Sequence, residues 1–217
     1  MSKHVFWIAL ILTAAVFFLG ILFGFVLENS RSDKLERIYM QSELDLIDIK
    51  LQTQILSLEK INCTSAIREN INFANRIYEE ALLFEDYEES ARLSDELRIQ
   101  HKKFDMLRTL FWVNSMQIKS KCNSDYHNIV YIYQYNTQRL DLKAKQTVFS
   151  RILGEIKSQL GDKVMLIPIA GDNNISSVKL LMDTYGVKES ELPVILIDEN
   201  IKISEIEDKS EILKYLN

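Results

Sequence analysis

The chain has 217 residues, 47% of them hydrophobic and 26% charged, which is enough apolar material for a folded core in one or two domains. Its 26 basic and 31 acidic residues give a formal net charge of −5, which argues against a nucleic-acid-binding protein with a basic surface. Two cysteines and three histidines cannot form a four-cysteine zinc site, and they lack the paired spacing of a mixed one. We therefore expect no nucleic-acid partner, no metal site and no small-molecule cofactor.

An apolar run without a charged residue follows a short tail of residues 1–4 and extends from Val5 to Leu27. As a helix it would be about 34 Å long, enough for a hydrocarbon core of about 30 Å. A cleaved signal peptide has a shorter apolar region and ends at a small-x-small site, which this run lacks. The sequence thus predicts a retained single-pass transmembrane helix in the lipid bilayer. Gly20 and Gly24 have the GxxxG spacing that lets two helix backbones approach, so they are candidates for helix packing.

Two signals disagree about membrane orientation. More Lys and Arg lie in residues 28–37 than in residues 1–4, which would keep the bulk of the chain cytoplasmic. Asn62 and Asn174 each begin an Asn-x-Ser/Thr sequon, and the two cysteines suit a disulfide. Both of these features favour the extracytoplasmic side of the cell membrane, and we expect the bulk of the chain there, with the two asparagines as candidate glycosylation sites.

The middle of the chain is predicted to be helical, because no glycine occurs between Gly24 and Gly154 and no proline before Pro168. The first of three predicted helices runs from about 33 to 60, the second starts at a cap near Thr64, and the third runs from about 87 to 121. Apolar residues recur every three or four positions in the first helix, at Leu44, Ile47, Leu51, Ile55 and Leu58. Such stripes must cover one another or a partner, so residues 28–122 are expected to form a helical hairpin, bundle or coiled spacer.

Cys63 begins the second predicted helix, and Cys122 follows the third. If the two helices are antiparallel, the cysteines can meet, and closing the loop between them would stabilise the fold by about 4 kcal/mol. We expect this disulfide; the alternative is two unpaired small hydrophobic residues, which is the usual state in a reducing compartment.

Other polar residues in this region carry no recognisable site. The acidic residues in 85–89 match no metal-binding loop and are expected to form a solvated turn between helices. The histidines have no nucleophile or carboxylate at a motif spacing and are expected to be surface or packing residues (His4, His101 and His127).

Strand and helix patterns alternate after Cys122. Strands are predicted at residues 128–135, 164–169, 192–198 and 201–203, where β-branched and aromatic residues are frequent. Helices are predicted at residues 141–160 and 176–185 and from Asp208 onward. Pro168 suits an edge strand or the final turn of its strand, and Gly186 suits the position after a helix. The predicted element order is β-α-β-α-β-β-α.

This order resembles the thioredoxin-like fold over about residues 126–217. Glu191-Leu192-Pro193-Val194 resembles the family's cis-proline segment at the start of the third strand, and Tyr185-Gly186-Val187 precedes it as in the family. The fold class is thus mixed α/β and α+β: a single transmembrane helix (5–27), a helical hairpin or bundle (28–122) and a thioredoxin-like domain (123–217). The layout is similar to archaeal membrane-anchored thioredoxin-like proteins, a likeness at the level of the family that implies no activity.

One departure from the family bears directly on function. Thioredoxins carry Cys-x-x-Cys between the first strand and the next helix, where the helix N-terminus lowers the pKa of the attacking thiol. Residues 135–143 of this chain, Tyr-Asn-Thr-Gln-Arg-Leu-Asp-Leu-Lys, contain no cysteine. Dithiol oxidoreductase chemistry by this domain is therefore excluded. No phosphate-binding loop and no Ser/His/Asp spacing is present either, so we expect a protein that is not an enzyme.

The groove beside the cis-proline of this fold binds extended peptides by backbone pairing, which does not need the thiols. We therefore expect a redox-inactive binding or scaffolding module for a protein partner, with Arg139 or Lys143 available for an acidic group. The expected site residues are Asn136, Thr137, Gln138, Arg139, Lys143 and Pro193. The same residues would equally serve a loop and helix cap alone. Two other functions stay open: an oligomer assembled through the helical region with the C-terminal domain as a cap, and an accessory subunit of a membrane enzyme complex.

Overall fold

A computed structural model of the protein describes residues 3–58, 60–90, 95–135, 137–206 and 208–216. Its helices are α1 (Lys3–Leu56), α2 (Cys63–Ser90), α3 (Asp95–Cys122), α4 (Leu140–Leu160), α5 (Ser176–Thr184) and α6 (Lys209–Leu213). Its strands are β1 (His127–Tyr133), β2 (Val164–Ala170), β3 (Val194–Ile197) and β4 (Ile201–Ile203). The chain divides into two units, Met1–Glu43 and Leu44–Asn217.

The first unit is helical and contains the apolar segment Val5–Val26, which is long and apolar enough to cross a membrane. The sequence predicted separate helices on either side of residues 28–32, but α1 is continuous from Lys3 to Leu56. The reason is that no glycine or proline follows Gly24 to interrupt it. A side chain built at Gly20 or Gly24 would meet no atom within 4 Å, so within one copy these glycines pack against nothing described.

The second unit is built on a four-stranded sheet with the order β2-β1-β3-β4. β1 pairs in parallel with β2 and antiparallel with β3, and β3 pairs antiparallel with β4. The predicted order of strands and helices after residue 122 is confirmed. Pro168 lies in β2, which is an edge strand, so its missing N–H removes no hydrogen bond from the centre of the sheet.

Both faces of the sheet are covered by helices. On one face Val130, Ile132 and Met165 pack with Phe73 of α2 and Phe111 of α3. On the other face the apolar side chains come from α4 and α6, and they include Phe149, Ile152, Ile156 and Ile212. The helices predicted as a hairpin, bundle or coiled spacer thus supply one layer of the sheet's core, and α2 and α3 lie with the sheet in the unit Leu44–Asn217. The physical reason is that β1 is buried on both faces, whereas α4 and α6 cover one of them.

A disulfide joins Cys63, the first residue of α2, to Cys122, the last residue of α3, with their Cα atoms 5.3 Å apart. The predicted disulfide is therefore confirmed. The N-terminal cap of α2 is Asn62 instead of Thr64, because the Oδ1 atom of Asn62 accepts a hydrogen bond from the backbone N–H of Ser65 at 3.0 Å.

The prediction for the acidic residues in 85–89 needs correction, and part of the third predicted helix is not described. The acidic residues in 85–89 belong to the last turns of α2 and do not form a turn between helices, because glutamate favours helix and no glycine or proline ends it there. Residues 91–94, which fall within the third predicted helix (about 87 to 121), lie outside the described residues.

The ends of the last helices agree with the sequence. Gly186 follows α5 with a φ of 62°, a left-handed conformation that glycine adopts without a steric penalty. Asp208 caps α6, since its side chain accepts a hydrogen bond from the backbone N–H of Ser210 at 2.6 Å.

The apolar stripe predicted in the first helix is not covered within the chain. Ile49 and Leu56 of α1 point into the core and are buried, but the side chains of the predicted stripe are 52–61% exposed. We call these residues the outer stripe: Leu44, Ile47, Leu51, Ile55 and Leu58. Residues 44–58 are thus apolar on two opposite faces, and the sequence spacing identified the face that is not in the core.

Candidate functional site

Three connecting segments meet where β1 and β2 end and β3 begins. Parallel pairing aligns Tyr133 with Ala170, and antiparallel pairing aligns Ile132 with Val194. Pro193, which follows a cis peptide bond from Leu192, therefore lies beside the end of β1. We call this region the Pro193 edge and define it as residues 134–135, 137–140, 171–173 and 192–193.

The predicted site residues are distributed unevenly at this edge. Pro193 is buried, and so is Thr137, whose Oγ1 atom accepts a hydrogen bond from the backbone N–H of Arg139 at 3.3 Å. The Thr137 side chain is thus bonded within the loop that precedes α4, and the N-terminus of α4 has no side-chain cap. Gln138 and Lys143 are exposed. Asn136 lies outside the described residues.

Arg139 is exposed but already has an acidic partner. Its guanidinium lies 2.6 Å from the carboxylate of Asp141, and this pair lowers the pKa of Asp141 and raises that of Arg139. Both side chains are about 70% exposed, so water and salt screen the pair and an external anion can compete for Arg139. An external acidic group can therefore bind Arg139 only in competition with Asp141.

The backbone of the β1–α4 connection is held by side chains from two other elements. The backbone N–H of Gln134 donates to the side chain of Gln146 at 3.0 Å, and Gln146 donates back to the carbonyl of Gln134 at 3.0 Å. The N–H of Tyr135 donates to the carboxylate of Asp172 at 2.8 Å. These bonds hold the backbone of residues 134 and 135 in place. The exposed residues 138–140 therefore follow a segment whose position is fixed.

Buried polar side chains on α3 contact the same segment. The ring of His101 stacks on the ring of Tyr135 with centroids 3.7 Å apart, and its Nε2 atom lies 3.1 Å from the hydroxyl of Tyr133. One turn further along α3, the carboxylate of Asp105 is fully buried and lies 3.6 Å from His101. Asp105 accepts hydrogen bonds from the backbone N–H of Ala170 at 3.1 Å and from the side chain of Asn173 at 2.7 Å.

Burial raises the pKa of Asp105, and His101 and Arg108 oppose this effect. The carboxylate connects α3 to the end of β2 and to the β2–α5 connection, so it holds one segment of the Pro193 edge, while His101 contacts a second segment through Tyr135. Sequence reasoning treated His101 as a surface or packing residue and did not consider Asp105. The signal available was the i, i+4 spacing of His101 and Asp105 on a helix whose apolar face includes Phe104.

The most exposed apolar residue described in this region was also missed. Leu140 is the first residue of α4, directly after Gln138 and Arg139, and its side chain is 80% exposed. An exposed leucine is by itself ordinary. Here it stands on a segment fixed by hydrogen bonds, next to one cationic and one amide side chain, which together suit contact with a peptide that carries apolar and acidic groups.

A second acidic group lies at the opposite end of the sheet, in the turn between β3 and β4. Asp198 and Glu199 have φ angles of 48° and 62°, which for residues other than glycine cost about 1–2 kcal/mol each. Asp198 is bonded to Lys119 and lies 2.6 Å from His127, and Glu199 accepts a hydrogen bond from Trp112 at 2.7 Å. Burial opposes ionisation of both residues; the contacts with Lys119 and His127 leave the pKa of Asp198 lowered, whereas burial raises that of Glu199. Since protein groups occupy these carboxylates, we assign them the structural role of holding the turn to α3.

The remaining predicted sites are spread over the molecule. Asn62 and Asn174 are both exposed, and Asn174 has a left-handed φ of 54°. The disulfide lies near the start of β1, the end of the strand opposite the Pro193 edge. Among the described residues no group of three or more His, Cys, Asp and Glu side chains is placed to hold a metal ion.

Comparison with known proteins gives no match: no family model, no curated protein and no solved structure matches this chain.

Proposed function

We propose that this protein is a membrane-anchored, redox-inactive thioredoxin-fold protein whose Pro193 edge binds an extended peptide segment of a partner on the extracytoplasmic side. The observation that carries the proposal is that the exposed Leu140, Arg139 and Gln138 lie at the same edge of the sheet as the cis-proline, on a connection fixed to α3 and α4. A fixed surface with an apolar contact loses little conformational entropy when a peptide binds.

Three features support the thioredoxin-like part of the proposal. The element order after Cys122 is the one that led to the resemblance, the peptide bond before Pro193 is cis, and Gly186 ends the helix that precedes it. Of the residues expected to line the groove, Thr137, Gln138, Arg139 and Pro193 belong to the Pro193 edge, Lys143 lies on α4, and Asn136 is not described.

The absence of dithiol chemistry follows from the chain's two cysteines, which are both used in one disulfide. Neither lies between β1 and α4, where the family's redox thiols would be. The disulfide also supports the extracytoplasmic side, since such bonds persist in oxidising compartments. Maleimide mass-tagging in intact cells tests the sidedness: Cys63 and Cys122 are expected to react only after reduction. Labelling without reductant, by a membrane-permeant reagent only, would place the bulk in the cytoplasm.

Site-specific photocrosslinking in intact membranes tests the binding site. A photoreactive amino acid replaces Leu140 in one variant and Leu180 in the control, because Leu180 is also an exposed leucine, at 67%, but lies on α5. We expect a partner crosslinked from position 140 and not from position 180. Identical products from both positions would contradict the proposal.

Two charge reversals, each combined with the probe at position 140, make the test sharper. Arg139→Glu is expected to reduce the crosslink at least about fivefold, since it removes the cation of the site. Lys179→Glu, on α5, is the matched control and should leave the crosslink unchanged; both residues are exposed, so neither change should unfold the chain. An unchanged crosslink in the Arg139→Glu variant would show that the edge is not recognised through this cation.

A further inference from the structure

The outer stripe of α1 is the largest run of exposed apolar side chains described outside the segment Val5–Val26. Four of its five residues lie on α1 at spacings of three or four positions, so they share one face of the helix over about 16 Å, and Leu58 lies two residues beyond the end of α1. The core-facing side of the same stretch includes Ile49 and Leu56, which are 0% and 4% exposed. The stripe thus stays exposed, because the opposite face of the helix is the one that packs in the core.

Polar residues flank the stripe on both sides. Asp48 lies on one side and Lys50 and Gln54 lie on the other, and all three are exposed. A narrow apolar seam between polar flanks, with spacing of three and four residues, is the pattern of a helix that packs against another helix. A single exposed leucine needs no explanation, whereas five on one seam do.

We infer that the outer stripe binds the outer stripe of a second copy of this chain, with the two helices parallel. The inference rests on the membrane anchor of the proposed function and not on the Pro193 edge. The chain connects the N-terminal end of each stripe to its own anchor, residues 5–26, and both anchors would lie in one bilayer, so we infer a parallel pair. In a parallel pair each position lies opposite its own equivalent, and every residue of the stripe therefore meets an apolar residue.

The area of the stripe explains why the anchor matters. A fully exposed Leu or Ile side chain has on the order of 100 Å² of apolar surface, so five side chains just over half exposed offer roughly 300 Å² per copy. The pair would bury roughly 600 Å², about half the 1,200 Å² at the lower limit of a stable interface between free proteins. Anchoring both copies in one bilayer raises their effective concentration, which compensates for a small interface. The pairing is therefore expected in the membrane and not in dilute detergent.

Cysteine crosslinking of the full chain in its native membranes tests this inference. Both native cysteines are bonded to each other, so a cysteine introduced at Leu44, Leu51 or Leu58 is the single free thiol. Mild oxidation is expected to give a covalent homodimer from each of these three variants. Leu180→Cys, exposed on α5, is the matched control and should give at least about fivefold less.

A second variant distinguishes specific pairing from crosslinks between copies that meet by diffusion in the membrane. Ile47→Asp in the Leu51→Cys background places a charge in the seam and should lower the homodimer yield at least about fivefold. Ile47 is 59% exposed, so the monomer should stay folded, which protection of Cys63 and Cys122 from maleimide reports. A folded Ile47→Asp variant that crosslinks at the parental yield would overturn the inference.

The outcomes separate the inference from the function it rests on. If carbonate extracts the chain from the membranes, the anchor is wrong, and the parallel pairing is wrong with it. If the chain is retained but the stripe positions crosslink no better than Leu180→Cys, or crosslink to another protein, the pairing alone is overturned and the proposal for the Pro193 edge stands.

Discussion

Glu80 in α2 is the group from which a pH dependence of stability follows most directly. One of its carboxylate oxygens, Oε2, is buried and has no hydrogen-bond partner among the described residues. Burial, and to a smaller extent the nearby carboxylate of Asp45, raise the pKa of Glu80 from 4.5 to about 7, while Arg76 opposes them. Arg76 offsets little of this effect, because its guanidinium is already 2.8 Å from the carboxylate of Asp45.

The pKa gives both the sign and the magnitude of the effect. The folded-state pKa lies above the unfolded value, so between about pH 4.5 and 7 the folded chain binds more protons than the unfolded chain. Raising the pH through this range therefore lowers the free energy of unfolding. At about 1.4 kcal/mol per pKa unit the upper bound is about 3.4 kcal/mol. Since Glu80 is partly exposed and water screens it, we expect about half, or about 1.5 kcal/mol.

Replacing Glu80 with glutamine isolates this contribution. Denaturant unfolding of the full chain in detergent micelles, followed by tryptophan fluorescence, is measured at about pH 5 and about pH 8.5. We expect Glu80→Gln to be more stable than the wild type by about 1.5 kcal/mol at the higher pH and nearly equal to it at the lower pH. Glu79→Gln, an exposed neighbour, is the control and should show no pH-dependent difference. A difference for Glu80→Gln that is the same at both pH values would refute the reasoning.

The remaining predictions concern packing, polar contacts and the disulfide. In the same unfolding assay, Ile49→Ala should lose about 2–4 kcal/mol because Ile49 is fully buried, whereas Leu51→Ala should lose less than about 1 kcal/mol in detergent; equal losses would contradict the assignment of the two faces of α1. Asp105→Ala should lose about 3–5 kcal/mol, because it leaves the buried N–H of Ala170 and the buried guanidinium of Arg108 without their acceptor, and a loss below about 1 kcal/mol would argue against these contacts. Reducing the bond between Cys63 and Cys122, which are 59 positions apart, should lower the free energy of unfolding by up to about 4 kcal/mol. An unchanged unfolding midpoint after complete reduction, checked by thiol titration, would refute this estimate.

Much of the local structure follows from the sequence because its causes are local. The lack of glycine and proline between Gly24 and Gly154 predicted long helices, and the β-branched runs predicted the strands. Pro168 could be assigned to an edge strand because it lacks an N–H, and Gly186 to the end of α5 because of its conformational freedom. The two cysteines could be paired because α2 and α3 had to pack side by side.

The site was predictable only in part. Pro193 and the connection after β1 could be placed at one edge of the sheet from the resemblance alone. The support from His101 and Asp105 could not, because these residues are far in sequence from the edge they hold and match no motif. The pairing of Arg139 with Asp141 depends on side-chain geometry that spacing does not determine.

What the sequence by itself determined is the type and order of the elements, the apolar segment near the N-terminus and the lack of redox thiols between β1 and α4. Only the tertiary structure decided which surfaces those elements cover. Residues 44–58 are apolar on two opposite faces, and apolar residues recur at helical spacing on both. The sequence therefore could not show that Ile49 is buried in the core while Leu51 is exposed. That choice depends on the sheet face that α2 and α3 occupy, because burial depends on the neighbours that the folded chain brings together.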